Sequence, residues 1–300
     1  MSLKAMSRLH SCVKGTSRIA ACQLRSNADK ERNYEICQRL VREAVVKGAK
    51  TVFLPEGFDY IGESGKQSVS MAEPLDGPLM SRYKALAKEL GVWLSLGGFH
   101  EQGPEEDRSR LFNAHVLLDD AGSIRSVYHK THLFACQLAT SKVSLKESNW
   151  CVPGKEICPP VPSPSGSIGL MICYDLRFPE ISSILRRDGA EVLTYPSAFT
   201  VPTGQAHWEI MLRARAVESQ CYVVAAAQVG RHNDKRESYG HSMIVDPWGR
   251  VLAQCTDEEE CVIVADVEEK ELERVRSSMP VLEHRRLDLY TDVQRHSSES

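Results

Sequence analysis

Gly48-Ala-Lys-Thr-Val-Phe-Leu-Pro-Glu-Gly-Phe58 and Gly189-Ala-Glu-Val-Leu-Thr-Tyr-Pro-Ser-Ala-Phe199 are one pattern written twice. Each opens on a glycine that stops a helix and runs through a short apolar strand. Each closes at a proline, which cannot donate to a further ladder bond. Working outward, the same order of elements surrounds both copies. A strand over 18–23 and a helix over 31–47 (Ile36, Leu40, Ala44 on one face) precede the first; a strand over 167–173 and a helix over 179–187 precede the second. A helix running into a strand follows each, over 85–98 and 214–227, with Glu89 matching Glu218 and Trp93 matching Tyr222. Hairpins come next: 112–119 returning as 123–128, and 239–246 returning as 250–254. Gly122 and Gly249 stand at the corners, where a positive φ suits glycine.

The two halves interlock in length too closely to be beads on a linker. The pattern predicts one α/β domain over residues 17–290: two sheets face to face across a pseudo-twofold, with helices outside, about four layers in all. Apolar runs such as 223–227 suit strands buried on both faces. A chain of 300 residues with 42% hydrophobic and 26% charged residues has the composition of a globular protein, not a disordered one. A net charge of -3 gives no electrostatic case for nucleic acid, and no stretch approaches 18 uninterrupted apolar residues, so no membrane partner is expected.

Ten cysteines spread over this length form no Cys-x-x-Cys pair, and several (Cys22, Cys173, Cys221) fall in apolar runs. A reduced, intracellular protein is expected. Residues 1–28 carry Lys4, Arg8, Lys14, Arg18 and Arg25 before any acid, with recurrent serines. This basic leader reads either as a mitochondrial transit peptide or as a disordered arm, and its first 16 residues stand outside the predicted domain. Residues 291–300 read as a polar tail.

In α/β sheets reactive groups gather at the carboxyl ends of strands. That criterion selects Glu56, Lys130, Cys173 and Glu147. Cys173 ends an apolar strand and enters a sharp turn through Tyr174-Asp-Leu-Arg-Phe-Pro-Glu180 into a helix. A thiol there is exposed to a pocket and close to backbone amides. Asp175 and Arg177 are expected to pair with each other and shape the turn; Arg177 is also placed to meet a substrate carboxylate. His129 and His132 lack a third ligand at metal-binding spacing, so no metal is expected. The run Gly62-Glu-Ser-Gly-Lys66 has its glycine and hydroxyl misplaced for a phosphate loop, and no Gly-x-Gly-x-x-Gly follows the first strand. Turn and core roles are expected for His100, His207 and His241.

Taken together, Leu54-Pro-Glu-Gly-Phe58, His129-Lys-Thr-His-Leu-Phe134 and Ile172-Cys-Tyr-Asp-Leu-Arg-Phe-Pro-Glu180 resemble the signatures of the nitrilase (carbon–nitrogen hydrolase) superfamily. The resemblance implies a four-layer α-β-β-α sandwich, usually dimeric or larger, with no cofactor. Downstream runs, among them Tyr195-Pro-Ser-Ala-Phe199, Thr203-Gly-Gln-Ala-His-Trp-Glu209 and Ser238-Tyr-Gly-His-Ser-Met243, look like the branch that hydrolyses deaminated glutathione in metabolite repair. That branch implies mitochondrial and cytosolic locations. Its relatives act on 2-oxoglutaramate as omega-amidases. Ala135-Cys136 stands where the superfamily commonly has an acid, and the segment 137–146 is unusual for this branch, which places the departure at the substrate pocket and not at the chemistry.

The resemblance implies that Cys173 is a nucleophile forming a thioester. Glu56 would exchange protons with the thiol, the leaving nitrogen and water. Lys130 would raise the thiolate fraction and, with the Tyr174 N–H, hold an oxyanion. Glu147 would be the family's second glutamate, positioning Lys130 or the substrate amide. Arg177, Phe199 and Thr203, with Tyr174, are expected to line the substrate pocket. Two rivals stand beside this reading: an omega-amidase for 2-oxoglutaramate or succinamate, and an interaction protein that kept the fold and lost turnover.

Overall fold

Strand residues alternate between two cores, which is why the apolar runs lack a polar face. In β1 (Thr16–Gln23), Ile19 and Ala21 enter one core while Ala20 and Cys22 enter another. The computed structural model describes residues 15–137, 144–256, 260–286 and 288–289. Of the 16 leader residues set outside the predicted domain, only 15 and 16 fall within these. The tail 291–300 lies outside them, as do residues 138–143 of the atypical loop.

The first half runs β1, α1 (Lys30–Val46), β2 (Thr51–Leu54), α2 (Gly65–Met71), α3 (Pro78–Leu90), β3 (Trp93–Gln102), β4 (Leu111–Leu118), β5 (Ile124–His129). A small pair, β6 (Ala135–Gln137) with β7 (Ser144–Lys146), and the strand β8 (Val161–Ser163) connect the halves. The second half runs β9 (Gly166–Leu170), α4 (Pro179–Arg187), β10 (Val192–Thr194), α5 (Val201–Ser219), β11 (Tyr222–Ala225), β12 (Val229–Asn233), β13 (Arg236–Tyr239), β14 (Met243–Val245), β15 (Val251–Gln254). Strand β16 (Cys261–Glu268) and α6 (Glu269–Ser278) follow.

The sheets have orders β16-β1-β2-β3-β4-β5 and β8-β9-β10-β11-β14-β15. Each places three parallel strands between an antiparallel edge strand and an antiparallel hairpin. The duplication read from the sequence is therefore a duplication of topology. Phe53, Leu117 and Tyr128 meet Ile168, Leu170 and Val224 in a core between the sheets, while Val52, Leu54 and Leu94 pack with Leu40, Val41 and Leu86 of α1 and α3. The layers are α-β-β-α.

Three local readings need correction. Strand β9 ends at Leu170, not at Cys173; Cys173 opens a short 3-10 turn (Cys173–Arg177) with φ 46°. The strand predicted over 239–246 is broken: Tyr239 ends β13, which pairs with β12, and the sheet resumes only at Met243. Positive φ at Gly240 and His241 makes that break. Finally, Cys255 and Cys261 form a disulfide, whereas six other described cysteines are free as expected.

Candidate active site

Proline and glycine set Glu56. Pro55 ends β2, and Gly57 takes φ 67°, its N–H bonded 3.0 Å from the Gly98 carbonyl. A Cβ on Gly98 would stand 2.7 Å from the Glu56 Cα, so glycine there lets the two turns close. Lys130 follows β5, its N–H donating to the Asn113 carbonyl at 2.9 Å. Glu147 opens a 3-10 turn, pinned by Phe134, whose N–H donates 2.7 Å to Glu147 Oε2.

These side chains converge out of water. Lys130 is 2% exposed, Glu56 7% and Glu147 8%. Lys130 Nζ donates to Glu56 Oε1 at 2.8 Å and to Glu147 Oε2 at 2.9 Å. Asn113, which the sequence reading missed, donates its Nδ2 to both carboxylates, at 2.9 and 3.1 Å. Its orientation is fixed, because ionised carboxylates only accept. The other Glu56 oxygen accepts the Ala198 N–H at 3.0 Å, across from the second sheet. The only sequence signal for Asn113 was its place on the strand paired with the end of β5.

The electrostatics follow from burial and charge. Burial raises the Glu56 carboxyl, but the charge and hydrogen bond of Lys130 outweigh it and hold the group down to about 2. Burial works against the Lys130 ammonium too, yet the two glutamates push it well above the usual lysine range. The Cys173 thiol goes the other way. Burial and the Glu56 charge raise it, and Lys130 only partly offsets them. The expected pull of Lys130 toward thiolate is therefore present but outweighed by burial and the Glu56 charge.

Asp175 and Arg177 do not pair. Asp175, fully buried, accepts from the Ile172 N–H (2.8 Å), the Tyr128 hydroxyl (2.8 Å) and the His132 backbone N–H (3.3 Å), with His132 Nδ1 at 2.7 Å. It ties the segment carrying Lys130 to the turn carrying Cys173. Arg177 instead lies over the rings of Tyr174 and Phe199, 5.8 and 5.5 Å from their centres. Buried His115 props the same turn, its Nδ1 2.9 Å from the Met171 carbonyl and Nε2 2.6 Å from the Ser95 hydroxyl. His100 meets Asp59, His241 the Tyr239 carbonyl, and His207 faces Arg177.

One cavity of about 330 Å³ joins these groups. Glu56, Lys130, Glu147 and Cys173 lie in its wall, as do all four expected pocket residues, Tyr174, Arg177, Phe199 and Thr203. Among the described residues no cluster of three His, Cys, Asp or Glu suits a metal ion, and no helix is long and apolar enough to cross a membrane.

A duplicated α-β-β-α sandwich with a thiol beside a buried Glu–Lys–Glu cluster defines a hydrolase of carbon–nitrogen bonds. The chain belongs to the carbon–nitrogen hydrolase family, whose pattern matches residues 18–277. It is 50% identical to the rat deaminated glutathione amidase over 273 residues, 91% of this chain and 83% of that one. The crystal structure of the C. elegans NitFhit protein superposes with a TM-score of 0.90 at 46% identity, over 96% of this chain and 69% of that one. Saccharomyces cerevisiae Nit3, a member of branch 10 of the nitrilase superfamily, superposes at 0.81 and 29% identity, over 92% and 98%.

Proposed function

We propose that this chain hydrolyses the side-chain-type amide of deaminated glutathione through a thioester on Cys173. The observation that carries the proposal is the buried Lys130, held between Glu56 and Glu147 in the cavity that also holds Cys173. The similarity to the rat amidase supports the substrate.

The chemistry follows from the resting charges. A high-pKa thiol beside a low-pKa carboxylate does not ionise in advance, so proton transfer to Glu56 accompanies attack of Cys173 on the amide carbon. Lys130 Nζ and the Tyr174 N–H receive the oxyanion; one such donor contributes on the order of 10²–10³ in rate. Protonated Glu56 then gives its proton to the leaving nitrogen as the C–N bond breaks. The departing amine is cysteinylglycine from deaminated glutathione, or ammonia from 2-oxoglutaramate. Glu56 next takes a proton from water, whose oxygen attacks the thioester, and returns it to the sulfur as 2-oxoglutarate leaves. Glu147 and Asn113 keep Lys130 and Glu56 aligned.

The test measures 2-oxoglutarate formed from deaminated glutathione and from 2-oxoglutaramate. Higher kcat/KM on the tripeptide-like amide is expected, with Cys173→Ala and Glu56→Gln each reducing turnover at least about 10³-fold while staying folded. Preference for the small amide would move the assignment to omega-amidase. No turnover of either would return the chain to a binding role.

Assembly belongs to the same reading: a second copy covers the outer face of α5 and the neighbouring β14–β15 turn, where Ile210, Val217 and Trp248 stand exposed.

A further inference from the structure

The cavity carries positive charge that the amide chemistry does not use. Part of its wall is the β12–β13 hairpin, which contributes Lys235, Arg236 and Glu237. Buried His232 fastens this hairpin to the first half, its Nδ1 2.8 Å from the Ser26 carbonyl and Nε2 2.8 Å from the Ser238 hydroxyl. Tyr239 fastens it to the second, its N–H 2.9 Å from the Phe199 carbonyl. The hairpin is thus a fixed part of the pocket.

Within the hairpin, Asp234 is engaged by Arg231 at 2.9 Å. Arg236 is half-buried, and its guanidinium has no hydrogen-bond or ion-pair partner among the described residues. Its charge nevertheless reaches Glu56. Glu237 leaves the hairpin's lining residues at net +1. A half-buried guanidinium with no hydrogen-bonded anion has given up hydration that a ligand carboxylate, which its planar fork fits, would replace. Arg177 answers for one such group near the thiol. Arg236, on a separate element, answers for a second.

We infer that Arg236, assisted by Lys235, binds a carboxylate on the leaving-amine side of the substrate, and so selects amides carrying an anion at both ends over short amides with one. The inference rests on the amidase reading above and names what that site recognises.

The test compares three substrates with the full chain: deaminated glutathione, its analogue with the glycine carboxylate converted to a carboxamide, and 2-oxoglutaramate. Arg236→Gln should raise KM for deaminated glutathione about tenfold or more, with kcat held within about twofold. It should leave KM unchanged for the carboxamide and for 2-oxoglutaramate, and Arg236→Lys should recover part of the loss. An equal change for all three substrates, a change confined to kcat, or no change would overturn the inference while leaving the amidase reading standing. Absence of turnover by the unaltered protein on all three would end that reading and this inference with it.

Discussion

At the scale of single residues, Glu56 is where burial and charge are most opposed. Its carboxyl is held down from 4.5 to about 2 in the folded chain because Lys130 outweighs desolvation. A depressed folded pKa contributes stability above the unfolded pKa, and that contribution is lost as pH falls toward the folded value. Between about pH 4.5 and 2 the unaltered protein should therefore lose stability more steeply than Glu56→Gln. Denaturant midpoints measured across that window would test this; parallel curves would mean that Lys130 does not hold the Glu56 charge. That Glu56, Lys130 and Cys173 come to one cavity was legible in the sequence because each follows an apolar run stopped by proline or a turn, and Glu147 because its surroundings resemble the family's second glutamate. Asn113 was not, since an asparagine inside a strand looks the same whether it faces solvent or two carboxylates. The balance of influences on the Cys173 thiol was hidden for a related reason. A sequence shows that Lys130 is near, but not that burial and Glu56 together outweigh it.

At the scale of elements, the site depends on holding two turns from different sheets in register. Asp175 does this with each of its oxygens occupied by a backbone donor: the Ile172 N–H on one and the His132 N–H on the other. An amide in its place must therefore turn its NH₂ toward one of those donors, whichever way it sits. Asp175→Asn should cost about 2–4 kcal/mol in denaturant unfolding and lower kcat at the same time. A variant as stable as the parent would show that the two turns hold without this bond. Sequence reading paired Asp175 with Arg177 because they lie two residues apart. The true partners, Tyr128 and His132, are more than forty residues away and become neighbours only when β5 and the turn after β9 meet between the sheets. The left-handed backbone at Cys173 was equally hidden, as a non-glycine φ of 46° leaves no trace in composition. Helix α4 was legible to the residue, because Pro179 and Gly189 mark its two ends chemically.

At the scale of the molecule, the duplication sets the architecture but leaves the two halves with different surfaces. Glu56 stands where the second half has Ser197, a buried residue whose hydroxyl donates to the Tyr195 carbonyl, so only one half carries the acid. The helices diverge as well. The buried side of α5 holds Trp208, Leu212 and Ala216, as an outer helix should, yet its other side shows Ala206, Ile210, Ala214 and Val217 at helical spacing. With Trp248 from the β14–β15 turn they line a groove of about 620 Å³. Ile210 is 69% exposed, Val217 52% and Trp248 48%, a concentration of apolar surface on one face that contact with a second copy would remove from water. Each such side chain would contribute about 1 kcal/mol on burial, so two aspartates in the stripe replace that gain with a desolvation cost on both sides of a twofold contact. Ile210→Asp combined with Val217→Asp should convert a dimer or larger assembly to monomer by light scattering at micromolar concentration. Because Thr200 to Thr203 at the start of α5 line the substrate cavity, the separated chain should also show a raised KM with its fold intact by circular dichroism. A parent protein that is already monomeric, or a double variant of unchanged mass, would place the assembly surface elsewhere.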